Sequence, residues 1–144
     1  MKKFLLALLV VFVLIQFIRI DKNVSDTALS DIQTTMQASD EVMSIIEKAC
    51  ADCHSNNTNY PWYGEIAPVS GYLNWHVSDG KKHFNMTEWS AYNKDQKDHL
   101  IKDLKKELKN KAMPLSSYTL IHKDAKLSAE EYETMMNWVA TLNN

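Results

Sequence analysis

The sequence predicts an all-α fold: about four helices joined by long loops, behind an N-terminal apolar run. Three observations carry this. Apolar residues recur at three- and four-residue spacing in several segments, the period of a helix with one buried face. No segment alternates apolar and polar residues as a half-buried strand would. Only three glycines occur, Gly64, Gly71 and Gly80. Their spacing writes neither G-x-G-x-x-G nor a Walker loop, which excludes nucleotide folds of those kinds.

The apolar run comes first. Met1-Lys2-Lys3 precedes Phe4–Ile20, where 15 of 17 residues are apolar. A charged start and an apolar core make an export signal. The run ends Gln16-Phe17-Ile18-Arg19-Ile20-Asp21, with no small residues of A-x-A type and no following cysteine. Residues 1–20 are therefore expected to stay as a signal-anchor, with a cleaved signal as the alternative. Lys2 and Lys3 should remain cytoplasmic, so the rest would face the periplasm from the cytoplasmic membrane. Residues 21–38 are polar without a clean period and read as a tether, leaving 39–144 as the domain. Residues 21–144 hold 13 Lys/Arg and 18 Asp/Glu, a net of −5. A general nucleic-acid binder would be basic, so no nucleic acid is expected.

The first domain helix is expected from Ser39-Asp40 into Cys50. Val42, Ile45, Ile46 and Ala49 share one face, and Ser39 or Asp40 can accept the free N–H groups of the first turn. A polar loop, His54–Tyr60, and an aromatic cluster, Tyr60-Pro61-Trp62-Tyr63, follow. A second helix is expected from about Pro68 to Asp79, opened by the proline and stopped by Gly80. Tyr72, Trp75 and His76 lie on one of its faces. A short turn around Thr87–Tyr92 precedes a third helix, Lys94 to Lys111, striped by Leu100, Ile101, Leu104 and Leu108. Its seven lysines read as a solvated face, and docking of an acidic redox partner is the sharper alternative. The last helix opens at Ser128-Ala129-Glu130-Glu131, a capping box. Tyr132, Met135, Met136, Val139 and Leu142 form its apolar face. Loops as long as those between these helices usually mean function or a bound group.

Both cysteines fall in Cys50-Ala51-Asp52-Cys53-His54. This C-x-x-C-H spacing is the attachment site for c-type haem. Two thiols three residues apart at a helix end can reach both vinyl groups of one porphyrin and form thioethers. The adjacent histidine is then held against the ring, where imidazole can bind iron. The leader agrees, because this haem is attached outside the cytoplasm. Other readings explain less. A thioredoxin-like pair normally follows a strand, zinc needs four ligands, and a disulfide leaves His54 unexplained. The expected cofactor is one covalent haem c on Cys50 and Cys53, with His54 as the proximal iron ligand.

Met113 is the expected sixth ligand. It follows His54 by 59 residues and precedes the last helix, as suits a methionine returned across the haem. His76 is its rival; His83, His99 and His122 are weaker candidates. Core filling is the plain alternative for Met113. Tyr60, Trp62, Tyr63, Tyr72 and Trp75 are dense around the motif and are candidate haem-pocket residues that could donate O–H or N–H groups to the propionates. Simple core packing accounts for them equally well.

These residues resemble the haem-binding domain family common in Bacteroidetes, membrane-anchored mono-haem c-type cytochromes. The matching stretches are Cys50 to Asn56, Tyr60-Pro61-Trp62-Tyr63, Ile66-Ala67-Pro68-Val69-Ser70, Met113-Pro114 with Tyr118 and His122, and Leu127-Ser128. The leader ending Gln16-Phe17-Ile18-Arg19 is similar too, so the resemblance spans nearly the whole chain. It implies a cytochrome c-like helical domain, covalent haem at Cys50 and Cys53, and His54 on iron. The family's pattern includes both His76 and Met113, so it leaves the sixth ligand open. On this reading the chain is an electron carrier and not an enzyme. It serves redox partner proteins at the outer face of the cytoplasmic membrane and is held there by residues 4–20. Two other classes compete: a haem-based sensor or ligand-binding domain with an open or weak sixth position, and a haem-free thiol oxidoreductase using Cys50 and Cys53.

Overall fold

The computed structural model describes residues 1–25 and 29–142. Its helices are α1 (Lys2–Ile15), α2 (Leu29–Thr35), α3 (Asp40–Ala49), α4 (Ala51–His54), α5 (Val69–His83), α6 (Lys94–Lys109), α7 (Ser116–Ile121) and α8 (Ala129–Thr141). Tighter 3-10 turns span Trp62–Glu65, Met86–Ala91 and Lys123–Ala125. No strand occurs among the described residues, as the missing alternation predicts.

The core gathers on α3. Ser39 caps it, its hydroxyl accepting from the Val42 N–H at 3.3 Å. Val42, Ile45, Ile46 and Ala49 are all buried, as their spacing predicts, and Ile46 is completely so. Each of the three larger side chains, Val42, Ile45 and Ile46, contributes roughly 1.5–3 kcal/mol. α8 packs across α3 and α6 and buries Met135, Trp138 and Val139. Its capping box forms as expected: Ser128 accepts from the Glu131 N–H, and Glu131 accepts from the Ser128 N–H at 2.8 Å. Glu131 also pairs with Lys48 at the end of α3, joining the two helices. On α6, Asn93 and Gln96 form a second capping box, and Ile101 and Leu108 are buried.

The structure departs from the expected pattern in four places. First, several connections contain short helices. Elements of three to seven residues complete at most two turns, too little for a period to show. Second, Gly80 does not stop α5, which runs on to His83. The helix needs a residue without a side chain there, because a Cβ on Gly80 would lie 2.6 Å from the Cys53 carbonyl oxygen of α4.

Third, residues 21–38 are not a free tether. Thr58 N–H donates to the Asn23 carbonyl, and the Asn23 amide donates to Ser55 O and Thr58 Oγ1, both at 2.8 Å. Ile32 on α2 and Met36 are almost completely buried, and the Trp138 indole donates to Met36 O at 3.2 Å. Leu29, Ile32 and Met36, spaced i, i+3 and i+7, turn to the core, and Ala38 is buried just beyond them. Residues 26–28 of the expected tether lie outside the described residues.

Fourth, the apolar run 4–20, expected as one membrane-spanning segment, is divided. α1 ends at Ile15, and Gln16 turns to the domain. Its side-chain amide donates to Ala67 O at 3.1 Å and accepts from Ala67 N–H at 3.0 Å. Ile20 then lies beside Gly71 of α5. The 14 residues of α1 rise about 21 Å at 1.5 Å each, short of a hydrocarbon core of about 30 Å. Among the described residues no helix is long and apolar enough to cross a membrane.

Candidate functional site

α3 and α4 meet at Cys50, whose backbone (φ −128°, ψ −42°) breaks the helix. The break turns Cys50, Cys53 and His54 into the wall of a cleft of about 470 Å³. α4 is pressed against α5 at Gly80, the contact that a Cβ would fill. Just beyond α5 the Phe84 carbonyl lies 2.8 Å from His54 Nδ1. A carbonyl only accepts, so Nδ1 carries the proton and donates. That leaves Nε2 as the lone-pair nitrogen, a ring orientation typical of a metal-binding histidine. Burial pulls the His54 pKa below its ordinary value, against the raising effect of that carbonyl bond. The imidazole is therefore neutral near pH 7.

The loop after the motif is tied down at both ends. The Thr58 hydroxyl donates to Asp52 O at 2.6 Å, and Asn59 N–H donates to Asp52 Oδ1 at 2.9 Å. Asp52 Oδ2 accepts from the Tyr118 hydroxyl of α7 at 2.7 Å. Burial, then this bond, pushes the Tyr118 pKa far up, so the phenol stays a donor. On the other side Asn56 N–H donates to Thr87 Oγ1 at 3.0 Å. The buried Asn85 donates to Asn56 Oδ1 at 2.8 Å. Asp52, inside the C-x-x-C-H stretch, thus links α4, its own loop and α7.

The cleft lies among α4, α5, α6, α7 and α8. Leu100, Leu104, Leu108, Met135 and Trp138 make much of it apolar. Cys50, Cys53, His54, His76 and Met113, from three separate stretches of sequence, all line it. His76 Nε2 is the one side-chain nitrogen or oxygen among the described residues that is buried without a hydrogen-bond partner. The cysteines are free thiols. Burial, then the charge of Cys53, pushes the Cys50 thiol up to about 12. Burial, then Asp52, pushes Cys53 up to about 11.

Tyr60, Trp62, Tyr63, Tyr72 and Trp75, expected at the haem pocket, do not line this cleft. The turn that carries Trp62 and Tyr63 packs on α5 outside the cleft wall. Tyr60 accepts from the Asn23 N–H at 3.0 Å, and Tyr63 bonds His122 Nε2 at 2.7 Å. Trp62 is 77 % exposed. Three other positions matter that spacing alone did not mark. The Phe84 carbonyl is backbone and leaves no sequence signal. Gly80 invited reading as a helix stop. Trp138 faces the cleft from a helix whose stripe was drawn one residue away, at Val139.

The site fits a haem on its own chemistry. The cleft has the size and apolar lining of a cofactor site, within the usual 300–1,000 Å³. One wall offers two thiols and a neutral imidazole with its coordinating nitrogen free. A buried, unpartnered ring nitrogen and a thioether complete the donor set. No curated protein and no solved structure matches the chain. The model of the haem-binding domain family matches it over residues 10–141. Cleft, donor set and match agree, and the chain belongs to the haem-binding domain family.

Proposed function

We propose that the protein is a c-type cytochrome: an electron carrier holding one covalent haem, tethered by residues 4–20 at the outer face of the cytoplasmic membrane. The carrying observation is the disposition of Cys50, Cys53 and His54 on one wall of the cleft, with His54 Nδ1 already satisfied by Phe84. When bound, the haem supplies a one-electron couple at its iron. Cys50 and Cys53 would hold it by thioethers, and His54 Nε2 would bind its iron. The Phe84 carbonyl fixes that imidazole's tautomer and angle. Leu100, Leu104 and Trp138 line the cleft and would exclude water from a bound haem; low polarity around iron is one determinant of potential. A partner protein would exchange electrons with the ring at the open side of the cleft.

Met113 is the sixth ligand in this reading. It comes from the α6–α7 connection. His76 instead lies on α5, the helix pressed against α4 and leading to the Phe84 carbonyl that holds His54. Thioether ligation would raise the reduction potential. A second reading is favoured by the unpartnered His76 Nε2, which would take the position in place of Met113 and give a lower potential. A thiol oxidoreductase is disfavoured: such enzymes depress a cysteine pKa to about 3.5–7.5, and both thiols here are pushed up.

Oxidised and reduced spectra of the wild type, Met113→Ala and His76→Ala, all exported in a host that matures c-type haem, test the assignment. The expected result is a low-spin c-type spectrum whose weak iron–sulfur band disappears only in Met113→Ala. Loss of the low-spin spectrum only in His76→Ala would assign His76. A high-spin wild type that binds carbon monoxide without treatment would overturn the carrier in favour of a ligand-binding domain.

A further inference from the structure

We propose that the face formed by Trp62, Ile66, Val69, Tyr72, Trp75 and Leu120 is bedded in the interfacial layer of a phospholipid membrane. The proposal rests on the reading of residues 4–20 as an anchor and says how the domain sits on it. Trp62 is 77 % exposed, Leu120 75 %, Trp75 59 % and Tyr72 52 %. Single exposed apolar residues are ordinary, but a set gathered from three neighbouring elements marks a contact surface. The elements adjoin one another. The turn bearing Trp62 packs on α5, and its Tyr63 bonds His122 at the end of α7, two residues from Leu120. On α5 the rings of Tyr72 and Trp75 lie 6.4 Å apart.

The N-terminal segment indicates lipid as the occupant. None of the side chains of α1 is buried. Gln16 clamps the exit of that helix to Ala67, between Ile66 and Val69, at the edge of this same face. Ile20 continues along α5 at Gly71. An apolar helix rooted there cannot enter a bilayer without carrying the face down to its surface. The depth agrees as well. α1 falls about 10 Å short of the hydrocarbon core. Interfacial elements bury their apolar faces about 5–10 Å into the headgroup boundary. Trp and Tyr are the side chains enriched at that level, with an apolar ring and a polar edge. The charges beside the patch suit it: Lys22 and Glu65 pair with each other, and the exposed Arg19 can reach lipid phosphates.

The test places the photoreactive residue p-benzoylphenylalanine singly at positions 8, 62, 120 and 137 of the full chain. Each protein is reconstituted in phosphatidylethanolamine–phosphatidylglycerol vesicles and irradiated, after its circular dichroism is shown to match the wild type. Position 8 reports α1. Position 137 is exposed on α8, which packs on α3 and α6. The expected result is lipid adducts at 8, 62 and 120, and none at 137. Adducts at 8 with none at 62 and 120 overturn the bedded face and leave the anchor standing. No adduct at any position overturns the anchor reading and the face together. Chain-to-chain adducts at 62 or 120 in place of lipid would assign the face to a second copy and overturn the proposal.

Discussion

Gly80 is where two helices meet with no side chain between them. Alanine is the better helix former by about 1 kcal/mol. Its Cβ, however, would stand 2.6 Å from a backbone oxygen and 3.1 Å from Cys53 Cβ. Neither atom is the far end of a flexible side chain, so α4 must move, and overpacking of this kind costs about 1–3 kcal/mol. The clash outweighs the propensity gain. Gly80→Ala is expected to lower the thermal midpoint and the fraction of chain that acquires haem, both readable from melting curves and absorbance. The cysteines make a second residue-scale prediction. With thiols raised to about 12 and 11, haem-free protein at pH 8 should be alkylated by iodoacetamide far more slowly than an unstructured cysteine peptide. Urea should abolish the difference. Alkylation at the rate of the free peptide would contradict the buried geometry.

At the scale of elements, the long amphipathic helices were legible and the short ones were not. Val42, Ile45, Ile46 and Ala49 announce α3, and Ser128 with Glu131 announces α8, because a face and a cap are written in consecutive residues. α2 turns Leu29, Ile32 and, just past its end, Met36 to the core, but a face of three residues on a seven-residue helix is short enough to pass for a polar tether. The structure makes that segment part of the core. Ile32→Ala is therefore expected to cost about 2–5 kcal/mol in urea unfolding, where a tether residue would cost nothing measurable. Glu131 makes the junction of α3 and α8 sensitive to pH. Its bond with Lys48, then the Ser128 N–H, holds its carboxyl below the usual 4.5. The unfolded chain then takes up the proton first as pH falls. The stabilisation is present above that pH and lost below it. Glu131→Gln should lower stability by about 0.5 kcal/mol at neutral pH, as suits a partly exposed pair. The gap should close on acidification below the ordinary carboxylate pKa.

The candidate site was legible in chemistry and only partly in geometry. Five consecutive residues give the attachment motif, and Met113 and His76 do converge on its cleft. Spacing could not say which aromatics line it. Tyr60, Trp62 and Tyr63 follow the motif closely along the chain, yet the loop fastened by Asp52 and Asn23 carries them to the outside of α5. The cleft is closed instead by residues of α6 and α8, more than 40 positions away. The N-terminal run was legible as apolar but not as divided, because the Gln16 clamp on Ala67 is a tertiary contact.

For the molecule as a whole, the proposed function stands on covalent haem at Cys50 and Cys53. The most direct test extracts the purified full chain, matured in a host that attaches c-type haem, with acidified acetone and then weighs the denatured chain by mass spectrometry. The colour is expected to stay with the protein, and the mass to exceed that of the chain by one haem. The increment should be lost when Cys50 and Cys53 are both replaced by alanine. Haem passing into the organic phase, with the chain at its unmodified mass, would contradict covalent attachment.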